Sequence, residues 1–241
     1  MLPLLCSVLL AAAPVETPAA PDCGSYLYQP AFCIDDDLRG PAEPYTPQPG
    51  DIMLRMDNSI FWRVTHYMAL AFDPNGSGIV YARPDGALAI LEAGPNDTLW
   101  VGTPDCLPHL KEYSEARVWI RRRRCPLTPE QSASLTAFAL AQDHKRFALI
   151  RLGGQLMPFR SRGPIRTWFI GKPCGDRRAW FCSELVCESC VAAGLMDPET
   201  TRPSATFPRD LFYGHSFNPY LNSHLRVNDD WYPPARWTGH P

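Results

Sequence analysis

The chain has 241 residues, 23 Lys and Arg against 25 Asp and Glu, a formal net charge of −2, and nine cysteines. Charge this close to neutral gives no general ground for nucleic acid or an anionic membrane as partner. Once a short leader is set aside, about 220 residues remain, enough for one well-buried core and one domain.

Met1 to Ala20 carry an apolar run, Leu2 to Ala13, followed by Pro and Ala, which reads as a signal peptide rather than a membrane span. No Lys or Arg precedes that run, and too few apolar residues stand before Cys6 for a lipoprotein signal. No other run is long enough to span a bilayer, so the expectation is an exported soluble protein, periplasmic, cell-surface or secreted, without stable membrane insertion. Residues 21–48 are rich in Pro and turn formers and read as an irregular arm. Within it Asp35-Asp36-Asp37 lacks the Gly and distal Glu of a calcium loop and reads as a solvated turn.

The core domain, residues 49–212, opens with the turn Pro49-Gly50-Asp51 and a strand over 52–56. A second strand is predicted over 65–72, ended by Asp73-Pro74-Asn75-Gly76, with His66, Val64, Met68 and Leu70 on one face. Strands over 78–82 and 87–93 form a hairpin about Arg83-Pro84-Asp85-Gly86. A strand over 116–121 completes an antiparallel sheet, and Arg121-Arg122-Arg123-Arg124 reads as its solvated end. Thr128-Pro129-Glu130-Gln131 starts a helix with an N-cap, a Pro at the first position and a capping-box Gln, its inner face carrying Leu135, Phe138, Ala139 and Gln142.

Residues 153–175 form a Gly-, Pro- and Arg-rich loop, where Arg151, Arg160, Arg162 and Arg166 read equally as ligands for a substrate carboxylate and as solvated charge. The next helix runs from Cys182 to Ala193 and stops at Gly194. Residues 213–241 read as an irregular tail wrapping the same domain. Export favours paired cysteines, and Cys23 with Cys33 and Cys106 with Cys125 flank segments that a bridge could close. Cys187 and Cys190 have no second pair to complete a zinc site and read as core or disulfide residues. Without a phosphate loop, a serine elbow or a metal-binding histidine pair, no cofactor is expected.

The chemistry centres on Trp180-Phe181-Cys182-Ser183-Glu184-Leu185-Val186. Cys182 opens a helix on the face shared with Leu185, Val186, Ser189 and Ala193, so its thiol points inward at the positive end of the helix dipole, where a thiolate is stabilised. First-turn backbone amides there lack partners within the helix and can serve as an oxyanion hole. On local grounds a buried structural cysteine, a core histidine and an ordinary strand-end acid at Glu92 remain open readings.

Thr65-His66-Tyr67-Met68-Ala69-Leu70 after a Pro-Gly-Asp strand, then Leu91-Glu92-Ala93, then Phe181-Cys182-Ser183-Glu184-Leu185-Val186, resembles the permuted NlpC-like papain-fold hydrolases of the YiiX/YebB-like group. The resemblance covers residues 49–212, including Phe207-Pro208-Arg209-Asp210-Leu211. It implies an α+β, permuted papain-like fold with an antiparallel sheet packed against helices that include the nucleophile helix. It carries the nucleophile onto Cys182, the general base onto His66 and the orienting third residue onto Glu92, with Tyr67, Phe181 and Ser183 against the substrate. The implied activity is cleavage of an amide or peptide bond, such as one in a cell-wall peptide or a related small amide, through an acyl-enzyme. Acyl transfer to or from a lipid, or a disulfide-stapled binding protein without activity, are the alternatives.

Overall fold

The computed structural model describes residues 24–28, 41–56, 59–68, 71–95, 98–113, 117–151, 163 and 165–240. The predicted signal peptide, Cys23, Cys33, the acidic triplet, Arg160 and Arg162 lie outside the described residues.

Ten strands are formed by β1 (Tyr26–Tyr28), β2 (Ala42–Pro44), β3 (Ile52–Met56), β4 (Gly76–Ala82), β5 (Leu88–Ala93), β6 (Val101–Gly102), β7 (Arg117–Arg121), β8 (Arg146–Phe147), β9 (Ala179–Trp180) and β10 (Ala235–Thr238). Eight of them build one sheet in the order β2-β1-β10-β7-β3-β4-β5-β6, with every neighbouring pair antiparallel. β8 and β9 pair in parallel beside it. The helices are α1 (Ile60–Met68), α2 (Cys106–Glu112), α3 (Pro129–Gln142), α4 (Arg166–Phe169), α5 (Cys182–Ala192), α6 (Pro208–Tyr213), α7 (Pro219–His224) and α8 (Val227–Asp230).

The mixed α+β architecture with a large antiparallel sheet is the expected one, and three expectations are corrected. Residues 60–68 form a helix, not the first part of a strand over 65–72. Apolar residues at 64 and 68 satisfy a two-residue alternation and a four-residue helical repeat equally, and the helical repeat wins here. The described parts of the arm and the tail carry regular elements. β1 and β2 come from residues 21–48, while β10 comes from residues 213–241 and sits inside the sheet between β1 and β7. Cys106 and Cys125 are both unbridged, as are Cys174, Cys182, Cys187 and Cys190.

Both faces of the sheet are covered. On one face Ile52 and Leu54 of β3, Ile79 and Tyr81 of β4, and Ala89 and Leu91 of β5 join a core with Leu135 and Phe138 of α3 and with Cys182, Leu185 and Val186 of α5. The alternate residues Met53, Val80, Ile90, Val118 and Ile120 face the other way, onto Cys106 and Leu110 of α2 and onto Leu27 and Trp237. That explains why the central strands are apolar nearly throughout rather than at alternate positions. α3 has the predicted capping box, Thr128 Oγ1 accepting from the Gln131 amide and Gln131 Oε1 from the Thr128 amide. α5 gives way to Gly194 at φ 67°, in the left-handed region that favours glycine.

Candidate functional site around Cys182

α5 starts abruptly because Phe181 is extended, at φ −85° and ψ 155°, and Cys182 is the first helical residue. The start is fixed by Glu184, fully buried, which accepts from Arg151 Nη1 at 2.8 Å, Arg151 Nη2 at 2.6 Å and the Phe181 amide at 3.3 Å, and which forms an ion pair with Arg177, Nε 3.4 Å away. The Arg151 guanidinium also lies over the Phe181 ring, 4.8 Å from its centroid. Arg151 is therefore engaged by a carboxylate of the chain itself.

The Cys182 side chain is buried against β4 and its Sγ donates to the Asn75 carbonyl at 3.8 Å. Leu54 pairs with Ser77 in the sheet register, so Ser77 stands on the same face as α5. Its buried hydroxyl has no other hydrogen-bond partner and acts on the thiol. Burial pushes the Cys182 thiol above its ordinary range; the Ser77 hydroxyl, the Arg55 guanidinium and the Ser183 amide pull it down, and Glu92 adds to the rise. Burial thus outweighs the helix N-terminus, and the resting group is a thiol. Deeper in α5, burial holds Cys187 well above and Cys190 up to about 12, so both are inert core thiols.

His66 lies in the last turn of α1, 9% exposed, and its carbonyl accepts the Ala71 amide at 2.8 Å. Tyr67 beside it is exposed and donates its hydroxyl to Asp73 Oδ2 at 3.1 Å. From Asp73 the chain runs through Pro74 to Asn75, and so to the thiol. His66 is not among the groups with the largest influence on that thiol. Ser183 is buried and its hydroxyl donates to the Thr206 carbonyl at 2.7 Å, which commits it to the chain rather than to a ligand. Phe181 packs edge-on against Phe147, ring centroids 6.3 Å apart.

Glu92 stands apart from this group. It pairs with Gly78 on the sheet face opposite α5. There Arg55 Nε donates to its Oε1 at 2.7 Å, while His109 Nε2 at 2.9 Å and the Tyr113 hydroxyl at 3.3 Å meet its Oε2. The imidazole that Glu92 orients is His109 of α2, whose Nδ1 lies 3.2 Å from Glu112 Oε2. Burial alone would drive Glu92 up, but Arg55 and His109 outweigh it and hold the carboxyl below its usual range. Sequence reasoning passed over Ser77, Arg55 and His109. The signal for the first two was Gly76-Ser77-Gly78, a run of small residues inside a strand that marks close approach by something else. Among the described residues, no group of three or more His, Cys, Asp or Glu is placed to hold a metal ion.

No protein-family model matches the sequence, and no curated protein matches it. Among solved structures, the chain is similar to the metalloprotein yiiX from Escherichia coli O157:H7, DUF1105, at 18% identity and a TM-score of 0.44, over 80% of this chain and 97% of that one.

Proposed function

We propose that this protein is a thiol hydrolase of a small amide or peptide bond, acting outside the cytoplasm, with Cys182 as nucleophile and His66 as base. The observation that carries the reading is Cys182 as the first residue of α5, its sulfur buried against β4 beside first-turn amides that have no partner within the helix. In this scheme Sγ attacks the substrate carbonyl carbon while its proton passes to His66. The oxyanion is met by an α5 amide, and the imidazolium then protonates the departing nitrogen as the C–N bond breaks. Water cleaves the resulting thioester and restores the thiol. Because burial keeps the resting group protonated, proton transfer must accompany attack instead of preceding it.

Two contacts support a shared neighbourhood for the pair. Phe72, six residues after His66, packs edge-on against Phe217 with centroids 6.4 Å apart. Ser183, next to Cys182, bonds to Thr206 in the segment leading to α6. Phe72 and Ser183 thus both border the stretch 206–217. The test is intact-mass analysis after incubation with activated acyl esters and aminoacyl anilides. Acylation should map to Cys182, vanish in Cys182→Ala, and slow about 10²- to 10⁴-fold in His66→Asn. No adduct, or one that persists in Cys182→Ala, overturns the reading.

A second reading, a binding protein without turnover, is favoured by one observation. The side chain that faces the thiol from the sheet is the Ser77 hydroxyl, and Glu92 is spent on the opposite face. Ligand binding that is unchanged in Cys182→Ala, with no turnover in either protein, would establish it.

A further inference from the structure

α1 presents an arc of apolar side chains to the outside. Of its described side chains, the buried one is His66, while Ile60 (78% exposed), Val64, Tyr67 and Met68 (63% exposed) face outward along one continuous arc. The outer side of a water-facing helix ordinarily carries polar groups instead. The exposed apolar surface continues beyond the helix. The Tyr67 ring packs on Phe72 with centroids 5.4 Å apart, and Phe72 packs on Phe217, itself 68% exposed.

Two cations rim this surface. Arg209 of α6 stacks over three rings at once, 4.1 Å from the Phe217 centroid, 5.1 Å from Tyr213 and 5.6 Å from Phe72, with neither a hydrogen bond nor an ion pair to its guanidinium. Arg63 stands at the edge of the α1 arc, and among the described residues its guanidinium has no partner either. Aromatic and aliphatic side chains interleaved with unpaired arginines suit an interface that is apolar below and anionic above. A second copy docking through the same face would set these arginines against each other and leave them uncompensated.

We propose that the outer arc of α1, together with the Phe217–Arg209 cluster, is a docking face for the surface of an anionic phospholipid bilayer, on which the protein lies peripherally. The balanced net charge of the whole chain does not oppose this, because the attraction is local to the two arginines. The apolar side chains reach the acyl boundary while Arg63 and Arg209 meet lipid phosphates. The proposal is independent of turnover at Cys182 and stands or falls separately from it.

The experiment is co-sedimentation of the full chain with vesicles of phosphatidylcholine alone and of phosphatidylcholine mixed with phosphatidylglycerol. Binding should appear on the anionic vesicles, weaken with added salt, and fall about fivefold for each of Arg63→Ala and Arg209→Ala. Met68→Asp with Phe217→Asp should abolish it while the far-UV spectrum and melting profile stay those of the parent. If the charge variants fold poorly, Arg63→Lys and Arg209→Lys should retain binding and serve as the folded controls. No binding to anionic vesicles at low salt, or binding indifferent to all these variants, overturns the proposal. A concentration-dependent dimer that Phe217→Asp dissolves, without lipid binding, overturns it as well.

Discussion

Arg55 on β3 and Glu92 on β5 meet across β4, Nε to Oε1 at 2.7 Å, because where they meet that strand carries Gly76 and Gly78 on this face. A methyl group on Gly76 would stand 2.6 Å from Arg55 Cγ, so the bare strand is what lets the pair close over it. Arg55 continues to the Gly94 carbonyl at 3.0 Å and lies over the Tyr113 ring, which ties α2 to the sheet from behind.

Removing Glu92 should therefore cost stability before it touches any chemistry. Glu92→Ala leaves two buried cationic partners uncompensated and is expected to lower unfolding stability by about 3–5 kcal/mol in urea titration. Burial works against a charge on His109, but Glu92 and Glu112 outweigh it and raise the imidazole above its usual range. Its contribution is full below the ordinary histidine value and is lost as pH rises through the raised one. In Glu92→Gln the His109 titration seen by NMR should move down. An unmoved titration would show that Glu92 does not hold this ring.

Asp51 sets a second pH dependence of known sign. Fully buried, it is raised by burial to about 6, even though the Arg123 amide, the Tyr45 hydroxyl and the Gln48 amide all bond to it. A carboxyl raised on folding favours the native state most when both states are protonated. That advantage, up to about 3 kcal/mol, is lost as pH rises through about 6. Between the ordinary carboxyl value of 3.8 and about 6, Asp51→Asn should flatten the measured fall in stability. A parallel pH profile in the variant would remove Asp51 as its source.

Arg121 is the bolt that holds the C-terminal stretch. It has no exposed surface, and it donates to the Leu211 carbonyl at 2.7 Å, the Tyr232 carbonyl at 3.0 Å and the Asn228 side chain. No carboxylate is among these partners, and burial, with nearby Arg124, depresses its guanidinium to about 10. Arg121→Ala should destabilise by about 2–4 kcal/mol and speed limited proteolysis within 213–234. Unchanged proteolysis there would mean that the tail is anchored elsewhere.

Thiol reactivity should follow exposure, not helix position. Cys125 and Cys174 are exposed, Cys182 is buried and pushed up, so iodoacetamide at neutral pH should label the first two well before the third. Ser77→Ala removes a buried hydroxyl that favours the thiolate and should slow Cys182 further without affecting Cys125. Rapid labelling of Cys182 ahead of both would show that the free protein already holds a thiolate.

Much of the frame was legible in the residues themselves. β3, β4, β5 and β7 announce themselves by apolar runs and a Pro-Asp-Gly turn, and the α3 start and the α5 stop by their capping residues. α1 was not, since Val64, Thr65 and Tyr67 have strand preferences that tertiary packing overrode. β1 and β10 are three and four residues long and lie in Pro-rich surroundings, too short for a period to register. The face of Glu92 was hidden for another reason. Leu91 and Ile90 are equally apolar neighbours, and only knowing that α5 covers the Leu91 side reveals that Glu92 points away from Cys182. His109 sits in a seven-residue helix with Pro108 before it, a context that carries no sign of a buried carboxylate partner.

The place of β10 between β1 and β7 bears on how the molecule is made. A ribosome releases the chain in order, so β1 and β2 precede by about two hundred residues the strand that joins them to the rest. Until residues 235–238 emerge, the outer edge of β7 stays open to any other extended chain, and the amino-terminal strands have nothing to dock on. Native pairing of this sheet is complete only after residues 235–238 have been translated.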